Sequence, residues 1–404
     1  MRWSSGMRNR TERILTQPAT WLVLKLAVIF SVFSQIETIE RFARPGMYAL
    51  WIAVPAVWCM RNRGKLRIAR FTQKYIIAFA LFCLLCGLAG IHAKSHFSAN
   101  YLRVLVAPLL VTVAGDLCAE EDDRLFQQIG RIYLVCALIF AFWVQRTYIP
   151  SYDFWLNSRI YLFQEKNSAG QVWVSAILIS VLLVDKKNTA RKVLTYIACG
   201  YLLIMVGICQ CRTSLLGLAA AILLYAISRS KRKGRMILII AAIAAALWLI
   251  PAARAFIRQA LLLNKYAGAD LNTFSSGRLV KYGNALRSFL SSPVIGVGKY
   301  YVDSSYLLIL AESGVVGFII IEWIWMTRIV QNYQYRGEGR NKTFLLMMTS
   351  FYIVESLLEG FPPFGPGVSS FMFWFFSSVL INRAHPERIP DTADPQTAPA
   401  LCRR

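Results

Sequence analysis

The chain has 404 residues, of which 56% are hydrophobic and 16% are charged, and its formal net charge is +24. A soluble domain has about 25% charged residues, so the composition argues against a soluble enzyme. The positive charge alone could indicate nucleic-acid binding. However, the basic residues form short runs between apolar blocks, as in the cytoplasmic loops of membrane proteins. We therefore expect a membrane protein with the lipid bilayer, and no nucleic acid, as a partner.

In chain order, residues 1–18 are predicted to be a basic cytoplasmic tail. The apolar blocks of residues 19–252 then predict nine transmembrane helices, since a bilayer core requires about 20 apolar residues per helix. Residues 253–303 are predicted to be an extracytoplasmic helical loop, and residues 304–382 to form three further spans. The polar, proline-bearing residues 383–404 predict a disordered cytoplasmic tail. The predicted fold class is thus an all-α, polytopic bundle of about twelve transmembrane helices.

The basic runs predict the orientation of this bundle. With twelve crossings, the richest runs all fall on one side, at residues 61–74, 186–192 and 229–235. Cytoplasmic loops carry the excess of Lys and Arg, so this side is placed in the cytoplasm. The expected location is the cytoplasmic (inner) membrane, with any active site formed by the longer loops on the extracytoplasmic face.

Two amphipathic helices are expected in the long external loop, over residues 253–267 and 277–290. Ser275 or Ser276 is expected to cap the second helix. One interpretation is that the loop lies in the membrane interface with snorkelling cations. The other is that it forms a lid whose arginines bind an anionic, lipid-linked substrate, since a guanidinium binds phosphate in a bidentate manner.

Three charged residues are placed on the outer face by the predicted topology. Arg212 lies in a very short turn between two apolar helices, Arg278 lies in the external loop, and Asp303 lies where the next span begins. Asp303 could also cap that helix. Glu355 and Glu359 are one helical turn apart near an outer helix end, where proton coupling is the weaker interpretation and no site role is assigned.

Five short motifs occur in a fixed order along the chain. They are Glu165-Lys166-Asn167-Ser168-Ala169-Gly170, Cys211-Arg212-Thr213-Ser214, Ser275-Ser276-Gly277-Arg278, Pro293-Val294-Ile295-Gly296-Val297-Gly298 and Glu312-Ser313-Gly314-Val315-Val316-Gly317. With this ordered set, over roughly residues 159–317, the chain resembles the O-antigen ligase and polymerase superfamily. The N-terminal third resembles that superfamily only as generic membrane helices.

The resemblance implies a glycosyltransferase that uses polyprenyl-diphosphate-linked glycans outside the cytoplasmic membrane. Ligases of this superfamily usually have a histidine where this chain has Asp303-Ser304-Ser305, and an aspartate followed by polar residues is more similar to the polymerases of O-antigen, capsule or exopolysaccharide. The alternatives are a ligase of finished glycan, a transporter of lipid-linked glycan, or a non-catalytic assembly partner. A transporter is disfavoured because the charged residues concentrate on one face and no inverted repeat is visible.

Roles follow from this resemblance and from the chemistry of the reaction. Arg212 and Arg278 are predicted to stabilise the charge that develops on the leaving diphosphate, and Asp303 to act as the general base. The predicted substrate-binding residues are Arg159, Asn167, Lys281, Tyr306 and Glu312. For Arg159 and Asn167 the alternative is interface anchoring, and for Glu312 it is a structural ion pair. No cofactor or metal is expected; a flippase and a chain-length regulator are candidate protein partners.

Overall fold

The computed structural model of the chain describes residues 19–62, 66–93, 99–158, 162–163, 165–184, 188–230, 232–263, 265, 268, 270–365 and 368–385. Within these residues all regular secondary structure is helical, which confirms the all-α prediction. The predictions for residues 1–18, for Arg159 and for the tail beyond residue 385 lie outside the described residues.

Sixteen helices occur in the described residues. They are α1 Ala19–Phe33, α2 Glu37–Arg61, α3 Arg70–Ala93, α4 Ala99–Ala119, α5 Asp123–Tyr148, α6 Tyr152–Asn157, α7 Lys166–Leu183, α8 Thr189–Ile208, α9 Arg212–Arg229, α10 Lys233–Leu249, α11 Pro251–Ala260, α12 Leu271–Phe274, α13 Arg278–Ser291, α14 Ser305–Tyr333, α15 Gly339–Leu358 and α16 Val368–Ala384.

Four of these helices, α5, α7, α8 and α14, are long and apolar enough to cross a membrane. A fifth span results if α10 and α11, which meet at an angle of 101°, are counted as one. The count of twelve spans is therefore not confirmed. Three further apolar helices are shorter than a span over their described residues, Ala19–Phe33, Leu105–Ala119 and Arg212–Ser228.

The predicted external helices occur with different ends. Pro251 occupies the first turn of α11, where its missing N–H is not needed, and Leu262 adopts a left-handed φ of 57° just after the helix. Neither Ser275 nor Ser276 caps α13, which follows Gly277 at a φ of 79°. Ser276 is itself left-handed, and its Oγ accepts a hydrogen bond from Arg212 Nη2 at 2.9 Å instead of one from α13.

Helix packing brings several helix ends together. α15 packs most extensively against α9, and also against α7 and α14. Gly217 permits a close approach of α9 to α15, since a Cβ there would lie 2.7 Å from the Phe351 ring. As a result α7, α9 and α14 begin where α8 and α15 end, and we call this the site end of the bundle. The opposite end is where α4 and α16 end and α5 begins.

Candidate active site

The site end contains a cluster of four charged side chains from three segments. Arg278 and Lys281 lie on α13, Asp303 precedes α14, and Glu359 follows α15. Arg278 Nη2 lies 2.8 Å from Glu359 Oε1, and Arg278 Nε lies 3.8 Å from Asp303 Oδ2. Lys281 Nζ lies 3.2 Å from the same Asp303 oxygen. The side chains of Arg278 and Asp303 are 18% and 17% exposed, so a ligand can reach the cluster from outside.

Two tyrosines fix Asp303 from its other side. Tyr301 Oη donates a hydrogen bond to Asp303 Oδ1 at 3.1 Å, and Tyr282 Oη donates one to the Asp303 carbonyl at 2.7 Å. Partial burial of the hydroxyl end, reinforced by the charge of Asp303 and the hydrogen bond to it, raises the pKa of Tyr301, although much of the ring is exposed. The hydroxyl therefore stays protonated and remains a donor. The two carboxylate oxygens of Asp303 thus face different surroundings, with cations at Oδ2 and a neutral hydroxyl at Oδ1.

Glu359 is the member of this cluster that sequence reasoning left out. Its Oε1 accepts hydrogen bonds from Arg278 and from Asn167 Nδ2, the latter at 3.0 Å, and Thr213 donates a further one. Burial raises the pKa of Glu359, although Arg278 opposes this shift. For Arg278, burial alone would lower the pKa, but Glu359 and then Asp303 outweigh it and the pKa is raised. The guanidinium therefore remains charged.

Arg212 is held by the turn just before α13. Its Nη1 donates to the Phe274 carbonyl at 2.8 Å, its Nη2 donates to Ser276, and its guanidinium carbon lies 5.5 Å from the centre of the Phe274 ring. The predicted pair Arg212 and Arg278 is thus found at the site end. One arginine lies in the ion-pair cluster and the other positions the turn that leads into it.

Two of the glycine motifs form a single structure, which we call the clasp and define as residues 293–298 together with the helix break at Gly314. Gly314 has φ 62° and ψ −168° inside α14, so the helix is interrupted there. The break frees the carbonyls of Ala311 and Glu312, which accept from the Val297 and Gly298 N–H groups at 2.8 and 3.1 Å. In return the Val315 and Val316 N–H groups donate to the Pro293 and Val294 carbonyls, at 2.8 and 3.3 Å.

The clasp explains why these motifs require glycine. A Cβ on Gly296 would overlap the carbonyl of Glu312, and a Cβ on Gly314 would overlap the carbonyl of Val294. Both glycines also have positive φ, which other residues adopt only with strain. Buried backbone groups need hydrogen-bond partners, so segment 293–298 replaces the partners that α14 loses at its break. The clasp thereby fixes the path of the chain into Asp303.

The remaining predicted residues divide into two groups. Lys281 belongs to the charged cluster, and Asn167 contacts it through Glu359. Glu312 is buried and its Oε1 accepts from the Tyr300 N–H at 3.2 Å, while its Oε2 has no hydrogen-bond partner among the described residues. Tyr306 points into the bundle, where its hydroxyl accepts hydrogen bonds from Trp325 and Ser356 at 3.3 Å each. Neither Glu312 nor Tyr306 contacts the cluster through these bonds.

Asp303 does not serve as a helix cap. The N-cap residue of α14 is Ser304, whose side chain makes no capping hydrogen bond, and both carboxylate oxygens of Asp303 are used within the cluster. The alternative interpretation of Asp303 from the sequence is therefore wrong, because the backbone between the clasp and α14 turns this side chain towards α13.

Comparison with protein families gives a match over part of the chain. Residues 197–321 match the family model described as O-antigen ligase. The matched segment extends from α8 into α14 and contains Arg212, Arg278, Asp303 and the clasp, whereas Asn167 and Glu359 lie outside it. A search among proteins of curated function gives no significant match.

Proposed function

We propose, from the O-antigen ligase family segment that this chain carries at residues 197–321, that the protein is a membrane glycosyltransferase that polymerises polyprenyl-diphosphate-linked repeat units into a surface polysaccharide. The observation that supports this most is the surroundings of Asp303. One of its oxygens faces two cations and the other faces a tyrosine hydroxyl, at an accessible helix end. The product would be an O-antigen, a capsule or an exopolysaccharide.

The proposed reaction is a single displacement at the anomeric carbon of the donor sugar. The acceptor hydroxyl oxygen attacks this carbon, and the bond from the carbon to the diphosphate oxygen breaks, with its electron pair leaving on the diphosphate. The proton of the acceptor hydroxyl passes to Asp303, which acts as general base. Arg278 and Lys281 stabilise the negative charge that develops on the leaving diphosphate, and Arg212 supports the turn that carries Arg278.

Arg278 and Lys281 both face Asp303 Oδ2 when no donor is bound. A diphosphate would compete for the same two cations, so donor binding would free this carboxylate oxygen.

The site is proposed to face the extracytoplasmic side. The loops at the opposite end of the bundle contain basic residues such as Arg61, Arg67 and Arg383, as cytoplasmic loops do. The lipid-linked glycan would reach the site from the outer leaflet of the cytoplasmic membrane, and a flippase and a chain-length regulator remain candidate partners.

The description of the matched family favours a second candidate, transfer of a finished glycan to a different acceptor. Deletion of the gene followed by glycan analysis separates the two. A polymerase deletion retains single repeat units and loses long chains, whereas a ligase deletion loses attachment and accumulates lipid-linked polymer. Accumulation of repeat units on the cytoplasmic side of the membrane would indicate a transporter instead.

Complementation of the deletion tests the site itself. Arg278→Ala should restore less than about 1% of the polymer, since loss of one charge-stabilising donor costs about 100- to 1000-fold in rate. The matched control is Arg287→Ala on the same helix, because Arg287 is exposed and should complement fully. Full activity of Arg278→Ala, at equal protein level in the membrane, would refute the proposed role of the cluster.

A further inference from the structure

An aromatic pair, Tyr301 and the partly buried Phe361, lies beside Asp303 at its oxygen Oδ1. Tyr301 is 56% exposed, and its ring centre lies 5.8 Å from that of Phe361, with an angle of 46° between the ring planes. The hydroxyl of Tyr301 is the donor that reaches Asp303 Oδ1. A large aromatic side chain is therefore held with its hydroxyl on the carboxylate and more than half of its surface free.

Three consecutive residues after α15 build this arrangement. Glu359 pairs with Arg278, Gly360 touches the backbone before Asp303, and Phe361 packs on Tyr301. A Cβ on Gly360 would lie 2.6 Å from the Val302 carbonyl oxygen, so only glycine allows this approach. The turn after α15 thus holds the cationic side and the aromatic side of the site in a fixed relation.

We propose that Tyr301 and Phe361 form the subsite for the sugar ring of the acceptor, whose hydroxyl is presented to Asp303. This inference rests on the proposed function. In a single displacement the attacking hydroxyl and the leaving diphosphate lie on opposite sides of the anomeric carbon. The two oxygens of Asp303 have correspondingly different neighbours. The cations that suit the diphosphate lie at Oδ2, and the aromatic surface lies at Oδ1. Ligand sites combine such aromatic walls with a few convergent polar groups.

The chemistry of the pair fits a neutral ligand. Aromatic faces bury the apolar C–H surface of a ring without demanding charge, and the tyrosine hydroxyl adds a polar contact at the rim. The cationic side of the cluster would instead favour the diphosphate. The acceptor class is therefore a neutral or weakly charged glycan ring, and the donor diphosphate is excluded from this subsite by its charge requirement.

The test separates binding of the acceptor from binding of the donor. Lipid-linked repeat units are extracted from the deletion strain, and part is cleaved by mild acid to give the free oligosaccharide. The purified chain in lipid nanodiscs is given labelled lipid-linked donor and increasing free oligosaccharide. Tyr301→Ala and Phe361→Ala should each raise the acceptor KM roughly 5- to 10-fold. The donor KM should change less than about 2-fold, and Tyr301→Phe, which keeps the ring, should retain the acceptor KM.

The matched control is Tyr333→Ala, which removes a tyrosine of similar exposure, 53%, at the other end of α14. An unchanged acceptor KM in both alanine variants, or an equal rise in the donor KM, would overturn the subsite. So would a wild-type protein that elongates lipid-linked acceptors but never the free oligosaccharide. If the wild type transfers no glycan from the donor to either acceptor, the proposed function itself fails.

Discussion

Two aspartates at the two ends of the bundle have opposite kinds of surroundings. Asp116, near the end of α4, is fully buried and accepts hydrogen bonds from the Ala69 N–H, the Thr72 hydroxyl and the Asn382 amide. Asp303, at the site end, is partly exposed and faces the long side chains of Arg278 and Lys281.

The comparison distinguishes a carboxylate that stabilises the fold from one that is available to a substrate. The donors around Asp116 are neutral groups fixed by three different segments, and a ligand has no access to them. The charged partners of Asp303, Arg278 and Lys281, have long side chains that can also reach an incoming anion. We therefore expect changes at Asp303 to affect the reaction rate and changes at Asp116 to affect stability.

The largest expected effect is the loss of activity in Asp303→Asn. The amide retains the shape of the carboxylate but cannot accept the proton, so kcat should fall about 100-fold or more. The Tm should change little, since this side chain is partly exposed. Asp270→Asn is the control, because Asp270 is an exposed aspartate in the same segment between α11 and α14 and its side chain caps α12. A variant with normal kcat would mean that another group is the base.

At the opposite end, Asp116→Ala should lower stability and leave the chemistry intact. It removes the acceptor for three buried donors, and an unsatisfied buried donor costs about 1–3 kcal/mol. We expect a clear decrease of the Tm in detergent, with the kcat of the remaining folded protein within about 2-fold of wild type. An unchanged Tm would contradict the distinction between the two aspartates.

The clasp contributes to the stability of the fold and also positions Asp303, so Gly314→Ala should lower both the Tm and the reaction rate. A side chain there overlaps the Val294 carbonyl and requires a positive φ, which alone costs about 1–3 kcal/mol. We expect a lower Tm together with a lower kcat, because the path into Asp303 moves. Gly283→Ala is the matched control: no atom lies within 4 Å of a Cβ there, and alanine favours the interior of α13. Equal Tm values for the two variants would show that the clasp does not stabilise the fold.

The smallest expected effect is on the pH dependence. Burial raises the pKa of Glu359, so this residue takes up a proton at a higher pH than an ordinary glutamate. The neutral side chain no longer forms an ion pair with Arg278, so kcat/KM should fall several-fold as the pH is lowered through this raised pKa. Glu359→Gln should show the reduced value already at neutral pH, and its acid limb should be flatter. An identical pH profile in wild type and variant would show that the protonation of Glu359 does not affect the reaction.

The sign of the stability change separates this effect from acid unfolding. The pKa of Glu359 is higher in the folded chain than in the unfolded chain, so protonation favours folding. Its contribution to stability is present at low pH and is lost as the pH rises through the folded pKa. The Tm should therefore not decrease because of this residue over the range in which activity falls.

Part of the site could be predicted because it lies in local motifs. Arg278 follows Ser275-Ser276-Gly277, and Asp303 follows the motif that ends at Gly298, so both were recognisable in sequence order. Glu359 lies 56 residues after Asp303 in the sequence, and it belongs to none of the five motifs. The sequence signal beside it is Gly360, the residue that allows the close approach to Val302. Its partner Asn167 is separated from it by 192 residues, and only the packing of α7 against α15 brings them together.

The sequence by itself determined the all-helical membrane character of the protein, because apolar composition and the order of short motifs are properties of the local chain. Tertiary structure alone decided that Asp303 faces α13 instead of capping α14, and that Tyr306 and Glu312 form their hydrogen bonds with residues outside the cluster. It also decided that two glycine motifs close on one another. The physical reason is that a broken helix must find hydrogen-bond partners elsewhere in the chain, and no local pattern states where those partners lie.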